Sequence, residues 1–187
     1  DSIEEKILKL QEKKEQLIKS TLDFQNNATI KLTVDEIAEF LNERELSSPY
    51  LIRGMQKAAE YIINSAESGE RICVYGDYDC DGIMSTVMLY SYLLLLGADV
   101  TYYIPEREEG YGLNEESIRK IAEDGTDLII TVDNGISSVK EAELIKELGM
   151  ELVITDHHQP SDELPDAVAV VDPHRKDCYS PYKNLCG

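Results

Sequence analysis

The sequence predicts an α/β fold: a parallel five-stranded sheet flanked by helices, preceded by an N-terminal helical extension. Three observations carry this prediction. From Arg71 onward, Val- and Ile-rich runs of strand length alternate with helical stretches, the pattern of parallel strands joined by crossover helices. Gly97, Gly125 and Gly149 fall where those helices need left-handed C-terminal caps. Acidic residues follow the strand runs directly, and in a parallel sheet the ligand site lies beyond the carboxyl ends of the strands.

The elements follow in order. Residues 2–20 read as a charged amphipathic helix with Ile3, Ile7, Leu10 and Leu17 on one face. Lys14 interrupts that seam, so the stretch reads as a helix packed on its own domain rather than a coiled coil. Asn26-Asn27 breaks the chain. Thr33 then caps a helix from Val34 to Glu45, with Glu36 placed for a capping box. A third helix follows Ser48-Pro49, with Leu51, Met55, Ala58, Ala59, Ile62 and Ile63 on one face. The predicted strands are Ile72–Tyr75, Val100–Ile104, Leu128–Val132, Leu152–Thr155 and Ala167–Val171. The predicted helices between them are Ile83–Leu96, Glu115–Ala122 and Ser138–Leu148. The division that results is an extension over 1–47 and an α/β domain over 48–187.

A chain of 187 residues can bury a real core, and its 42% hydrophobic and 29% charged residues are ordinary for a globular protein. No apolar run approaches the roughly 18 residues of a membrane-spanning helix, and the charged N-terminus is not a signal peptide. A cytoplasmic protein is expected. The net charge of -19 argues against broad electrostatic adhesion to nucleic acid, although not against a nucleic-acid substrate. None of the four cysteines forms a C-x-x-C pair, so structural zinc is not expected. All four read as reduced thiols, with Cys73 packed inside a strand.

The chemistry is concentrated at strand ends. Asp77, Asp79 and Asp81 alternate after the first strand, and Gly82 closes the turn. Such crowding of carboxylates is unfavourable unless a cation offsets the repulsion. Asp133 follows the third strand and Asp156-His157-His158 follows the fourth. Carboxylates with imidazole suit manganese well and magnesium tolerably. Two such ions sharing a carboxylate can activate a water and stabilise an in-line phosphoryl displacement. The spacing Asp77-x-Asp79-x-Asp81-Gly82 also opens an EF-hand loop, but Met88 occupies the twelfth position where that loop needs an acidic ligand. Asp172, before Pro173, reads as a strand stop.

The segments Gly76-Asp-Tyr-Asp-Cys-Asp-Gly82, Val132-Asp-Asn-Gly-Ile-Ser137 and Thr155-Asp-His-His158 together resemble the first three motifs of the DHH phosphoesterase family. Within the family, the resemblance is to RecJ-type exonucleases specific for single-stranded DNA. Glu109-Gly-Tyr-Gly-Leu113 and Asp172-Pro-His-Arg175 support it, and it runs from about Ser48 to the last residue. It implies a manganese- or magnesium-dependent hydrolase with two ions that removes nucleotides from the 5′ end of single-stranded DNA in repair and recombination. Carried over by motif, Asp79 and Asp81 are metal ligands, Asp133 bridges the ions, His157 ligates and Asp77 supports them. His158 contacts the scissile phosphate or assists ligation, Asp156 orients the histidines, and Arg107 and Tyr111 hold substrate phosphate. Single-strand-binding or replication and repair proteins are implied as partners, and no membrane is. The family's fourth metal-binding aspartate and its second domain would follow Gly187, so the chain reads as an inactive N-terminal fragment. Two alternatives stay open: a DHH phosphodiesterase acting on short oligonucleotides or cyclic dinucleotides, and a non-catalytic DHH-like replication scaffold.

Overall fold

The structure, a computed structural model, describes residues 48–181, 183 and 185. The helices expected over 2–20 and 34–45 lie outside the described residues. The five strands are β1 (Ile72–Tyr75), β2 (Val100–Tyr103), β3 (Leu128–Val132), β4 (Glu151–Thr155) and β5 (Ala169–Val171). The four α-helices are α1 (Met55–Ser68), α2 (Cys80–Leu95), α3 (Glu115–Glu123) and α4 (Val139–Glu147). Short 3-10 turns occupy Pro49–Leu51 and Arg107–Glu109.

All strand pairs are parallel and the sheet order is β2-β1-β3-β4-β5. Alternation along the strands feeds two cores. Ile72 and Val74 of β1, with Leu128, Ile130 and Val132 of β3, join Ala58 of α1 and Leu93 of α2 on one face. Cys73 and Tyr75, with Ile129, join Ile118 and Ile121 of α3 and Ile145 of α4 on the other. Both faces are therefore covered, which is why these strands read as continuous apolar runs instead of alternating with polar residues. Gly97, Gly125 and Gly149 have φ of 81°, 77° and 80°, the left-handed cap conformation expected of them.

The order of the strands fixes where ligands can bind. The chain runs from β1 outward to β2, then returns to place β3 on the opposite side of β1. The crossovers on the two sides leave by opposite faces, since α2 packs in one core and α3 in the other. The gap beyond the ends of β1 and β3 is thus the switch point of the sheet, where open α/β sheets bind ligands.

One helix starts earlier than the sequence predicts. The helix expected from Ile83 begins at Cys80, because Asp79 caps it: the Asp79 side chain accepts a hydrogen bond from the Gly82 N–H at 3.0 Å. Both glycines of the first motif are sterically required for this entry. A Cβ on Gly76 would lie 2.0 Å from Thr86 Oγ1, and one on Gly82 would lie 2.6 Å from the Asp77 carbonyl oxygen. Strand end and helix start therefore touch, and the loop between them has no freedom to move its acids away. At the edge of the sheet, β2 stops at Tyr103 instead of Ile104, just ahead of Pro105. Strand β5 begins at Ala169 instead of Ala167.

Candidate metal centre

Three strand ends meet at the switch point. Asp77 leaves β1 through Gly76 and is almost fully buried. Asp79 caps α2 from the same loop. Asp133 follows β3, also buried, and its φ of 63° is the only positive value at a non-glycine among the described residues. That left-handed conformation costs an ordinary residue about 1–2 kcal/mol, and Asp and Asn are among the few that visit it routinely. His157 and His158 follow β4 by way of Asp156.

Ligand atoms of Asp77, Asp79 and Asp133 lie within 4.8 Å of one another, and so do those of Asp133, His157 and His158. Asp133 belongs to both groups. Asp81 belongs to neither: the early start of α2 places it half-buried in the first helical turn. Asp77, expected from the sequence beside the ions, shares a group with Asp79 and Asp133.

Both carboxylate oxygens of Asp133 and Oδ1 of Asp77 are buried without a hydrogen-bond partner. Uncompensated buried carboxylates are expensive, and a bound cation is the natural compensation. His157 Nε2 is 2.9 Å from Asp133 Oδ1, yet the two lack hydrogen-bond alignment. Two ligands at right angles on one octahedral ion of magnesium size are also about 2.9 Å apart. The donor set of carboxylates and imidazole therefore fits a manganese or magnesium site in both chemistry and spacing.

Around this centre Asp156, Tyr111 and Tyr75 are paired, while Thr131 Oγ1 and Asn134 Oδ1 are buried without a hydrogen-bond partner. Asp156 Oδ1 accepts hydrogen bonds from the backbone N–H groups of His157 (2.7 Å) and His158 (3.1 Å) and lies 2.7 Å from His158 Nδ1. Its Oδ2 accepts from the Ile136 N–H at 2.9 Å. Asp156 is thus committed to holding the histidine loop against the loop after β3. The Tyr111 hydroxyl donates to the Asp133 carbonyl at 3.1 Å and lies 2.9 Å from His158 Nδ1. Tyr75, at the end of β1, donates to the Gly112 carbonyl and so anchors the turn that carries Tyr111. Arg107 sits with its guanidinium carbon 5.7 Å from the Tyr78 ring centroid, above the loop between Asp77 and Asp79. A cavity of about 290 Å³ opens beside His158, lined by Tyr111, Gly112, Ile136, Ser137, Ser138 and Asp156 among others. Asp172 is fully buried, with Oδ1 accepting from the His174 N–H at 2.6 Å, a local turn that fits its reading as a strand stop. Among the described residues Cys73, Cys80 and Cys178 are free thiols.

Charges in the centre are mutually unfavourable. Burial, then the charge of Asp79, pushes the Asp133 carboxyl up to about 6, and burial raises Asp77 as well. Burial would lower His158, but its hydrogen bond with Asp156 together with the charges of Asp156, Asp133 and Asp79 outweighs that and raises it. All three shifts mean that the folded state holds protons more tightly than the unfolded state. Their stabilisation is present at low pH and is lost as pH rises through the folded pKa of each group. Metal-free protein is therefore expected to lose stability between about pH 4 and pH 7, by on the order of 3 kcal/mol from Asp133 alone. Thermal unfolding in chelator, followed by circular dichroism, measures this. Asp133→Asn, which tolerates the same backbone conformation, should flatten the profile, and a wild-type profile in that variant would contradict the assignment.

The N-terminal domain of the DHH family matches residues 71–186. The chain is 45% identical over 158 residues to the single-stranded-DNA-specific exonuclease RecJ of Bacillus subtilis, covering 83% of this chain and 20% of that protein. It is 42% identical over 138 residues to the Escherichia coli RecJ, covering 73% of this chain and 24% of that protein. The chain thus spans about a fifth to a quarter of the length of these curated relatives. A crystal structure of exonuclease RecJ bound to manganese superposes with a TM-score of 0.65 at 39% identity, over 70% of this chain and 34% of that one. RecJ of Thermus thermophilus in complex with Mn2+ superposes with a TM-score of 0.61 at 34% identity, over 71% of this chain and 19% of that one. No helix among the described residues is long and apolar enough to cross a membrane. With its motifs converging on one rim of a parallel sheet, the chain belongs to the DHH family.

Proposed function

We propose that this chain is the metal-binding domain of a cytoplasmic 5′-to-3′ exonuclease that hydrolyses single-stranded DNA in repair and recombination. The observation that carries the reading is the membership of buried, unpartnered Asp133 in both groups of ligand atoms. A carboxylate so placed is what a two-ion phosphoryl-transfer site requires. In this reading Asp133 would serve both ions, Asp77 and Asp79 would hold one, and His157 would hold the other. Asp81 stays in the candidate set from its position two residues beyond Asp79. Bound manganese or magnesium supplies an activated water and neutralises charge on the phosphoryl group.

The chain's own residues supply the rest. Asp156 accepts a hydrogen bond from the Nδ1–H of His158 and fixes the ring, so that a second proton on Nε2 is available to a phosphate oxygen. The raised pKa of His158 favours that doubly protonated form. Tyr111 also contacts His158 Nδ1 and, with Arg107, lines the approach for substrate phosphate. The manganese-bound RecJ structures and the RecJ names of the relatives support both the metal and the substrate. The division into an extension over 1–47 and a DHH domain over 48–187, and the involvement of single-strand-binding or repair proteins, belong to the same proposal.

Cleavage of 5′-labelled single-stranded DNA in manganese, beside cleavage of a cyclic dinucleotide, tests it in the complete polypeptide. Mononucleotide release from the single strand supports the reading. Turnover of the cyclic dinucleotide alone would move the chain to a different branch of the family. Residues 1–187 by themselves are expected to be nearly inactive, since a net charge of -19 repels DNA and Arg107 is the one cation assigned to the site.

A further inference from the structure

We infer that Asn134 is a positioning residue that sets the distance between the two halves of the metal centre. The inference rests on the metal-site reading above and concerns how that site is held ready. Asn134 is fully buried, directly after Asp133. Its side-chain amide nitrogen donates to the Val132 carbonyl at 2.9 Å and to the Tyr75 carbonyl at 3.3 Å. Both partners are acceptors, so the orientation of the amide is fixed by chemistry: the nitrogen faces them and the oxygen faces away.

The two bonds do different things. The bond to Val132 closes a tight loop around the intervening Asp133 and holds it at a φ of 63°. Without that loop Asp133 would be freer to leave the left-handed conformation. The bond to Tyr75 crosses the switch point. Pairing of β1 with β3 runs from Ile72↔Leu128 to Tyr75↔Thr131 and ends there. Beyond it no ladder bond ties the two strand exits, yet Asp77 and Asp133 must stay close while repelling each other. The Asn134 amide supplies the tie at the last residue of β1, two positions ahead of Asp77. One side chain thereby fixes the conformation of the shared carboxylate and its distance from the opposite group.

Burial of an amide for structural reasons alone predicts a different outcome from positioning. A structural role lowers stability and leaves the metal affinity of the folded state unchanged. Positioning lowers the affinity of the folded state itself, typically by ten- to a hundredfold for residues that orient ligands, on the order found in other metal sites.

The test is manganese titration by calorimetry of wild type, Asn134→Ala and Asn134→Leu. The leucine keeps the branched shape and the charge balance but removes both donors. Ile118→Ala, in the core between α3 and the sheet, provides a destabilised comparison outside the groups of ligand atoms. Titrations are run at a temperature where circular dichroism shows every variant folded, with the electron paramagnetic resonance signal of bound manganese recorded on each. The expected result is a loss of about tenfold or more in both Asn134 variants, an altered manganese signal, and affinity within about threefold of wild type in Ile118→Ala. Wild-type affinity and signal in the Asn134 variants would overturn the inference while leaving the metal site standing. So would an equal loss in Ile118→Ala, because affinity would then follow stability. Absence of manganese binding by wild type would overturn the metal-site reading, and the inference with it.

Discussion

Asp133→Asn is expected to lower manganese affinity more than about a hundredfold, beyond the ten- to hundredfold typical of residues that only support ligands. Asp133 is the one residue common to both groups of ligand atoms, so its loss removes a contact from each ion. Asparagine is the informative replacement because it tolerates the left-handed backbone at this position, whereas alanine would add strain of about 1–2 kcal/mol. The same variant should be more stable than wild type in chelator at neutral pH, because the buried charge is gone. Weaker metal binding combined with greater metal-free stability separates a ligand from a structural residue. Calorimetric titration and thermal unfolding measure the two sides. Equal manganese affinity in variant and wild type would remove Asp133 from the site.

The second large effect separates adjacent histidines. His158→Ala in the complete polypeptide is expected to slow the chemical step by on the order of 100- to 1000-fold while leaving manganese affinity near that of wild type. His157→Ala is expected to weaken metal binding first. The difference comes from their partners: His157 Nε2 lies against Asp133 Oδ1 at 2.9 Å, and His158 Nδ1 lies against Asp156 Oδ1 at 2.7 Å. His158 also contributes an atom to one group of possible ligands, so the outcome is decided by measurement. Single-turnover rates at saturating manganese, beside titrations of both variants, provide it. Loss of metal binding in His158→Ala would reassign that ring as a ligand.

Much of this was legible in the sequence because the strands are buried on both faces. Ile72–Tyr75 and Leu128–Val132 contain no charged residue, and their ends are where apolar character stops, so their limits are those of the structure. The start of α2 was not read from the sequence because Cys80, Asp81 and Gly82 are poor helix formers, and the local cap by Asp79 outweighs that propensity. The displacement of Asp81 into that helix follows from the same early start. The strand-end acids were found because a parallel sheet gathers its carboxyl ends on one rim. The parts played by Asn134 and Tyr75 were hidden for another reason. Each depends on a partner far along the chain, Tyr75 for Asn134 and Gly112 for Tyr75, and neither residue type signals that partner by itself. The contact of Arg107 with Tyr78 was hidden in the same way.

The central claim is that Asp133 joins two ion sites built from the ends of β1, β3 and β4. Diffraction from crystals equilibrated with manganese, recorded at the manganese absorption edge, addresses it most directly. The account predicts two anomalous peaks about 3.5–4 Å apart, with Asp133 touching both, Asp77 or Asp79 on one and His157 Nε2 on the other. Manganese located elsewhere on the chain, or bound at this rim without Asp133 among its ligands, would contradict it.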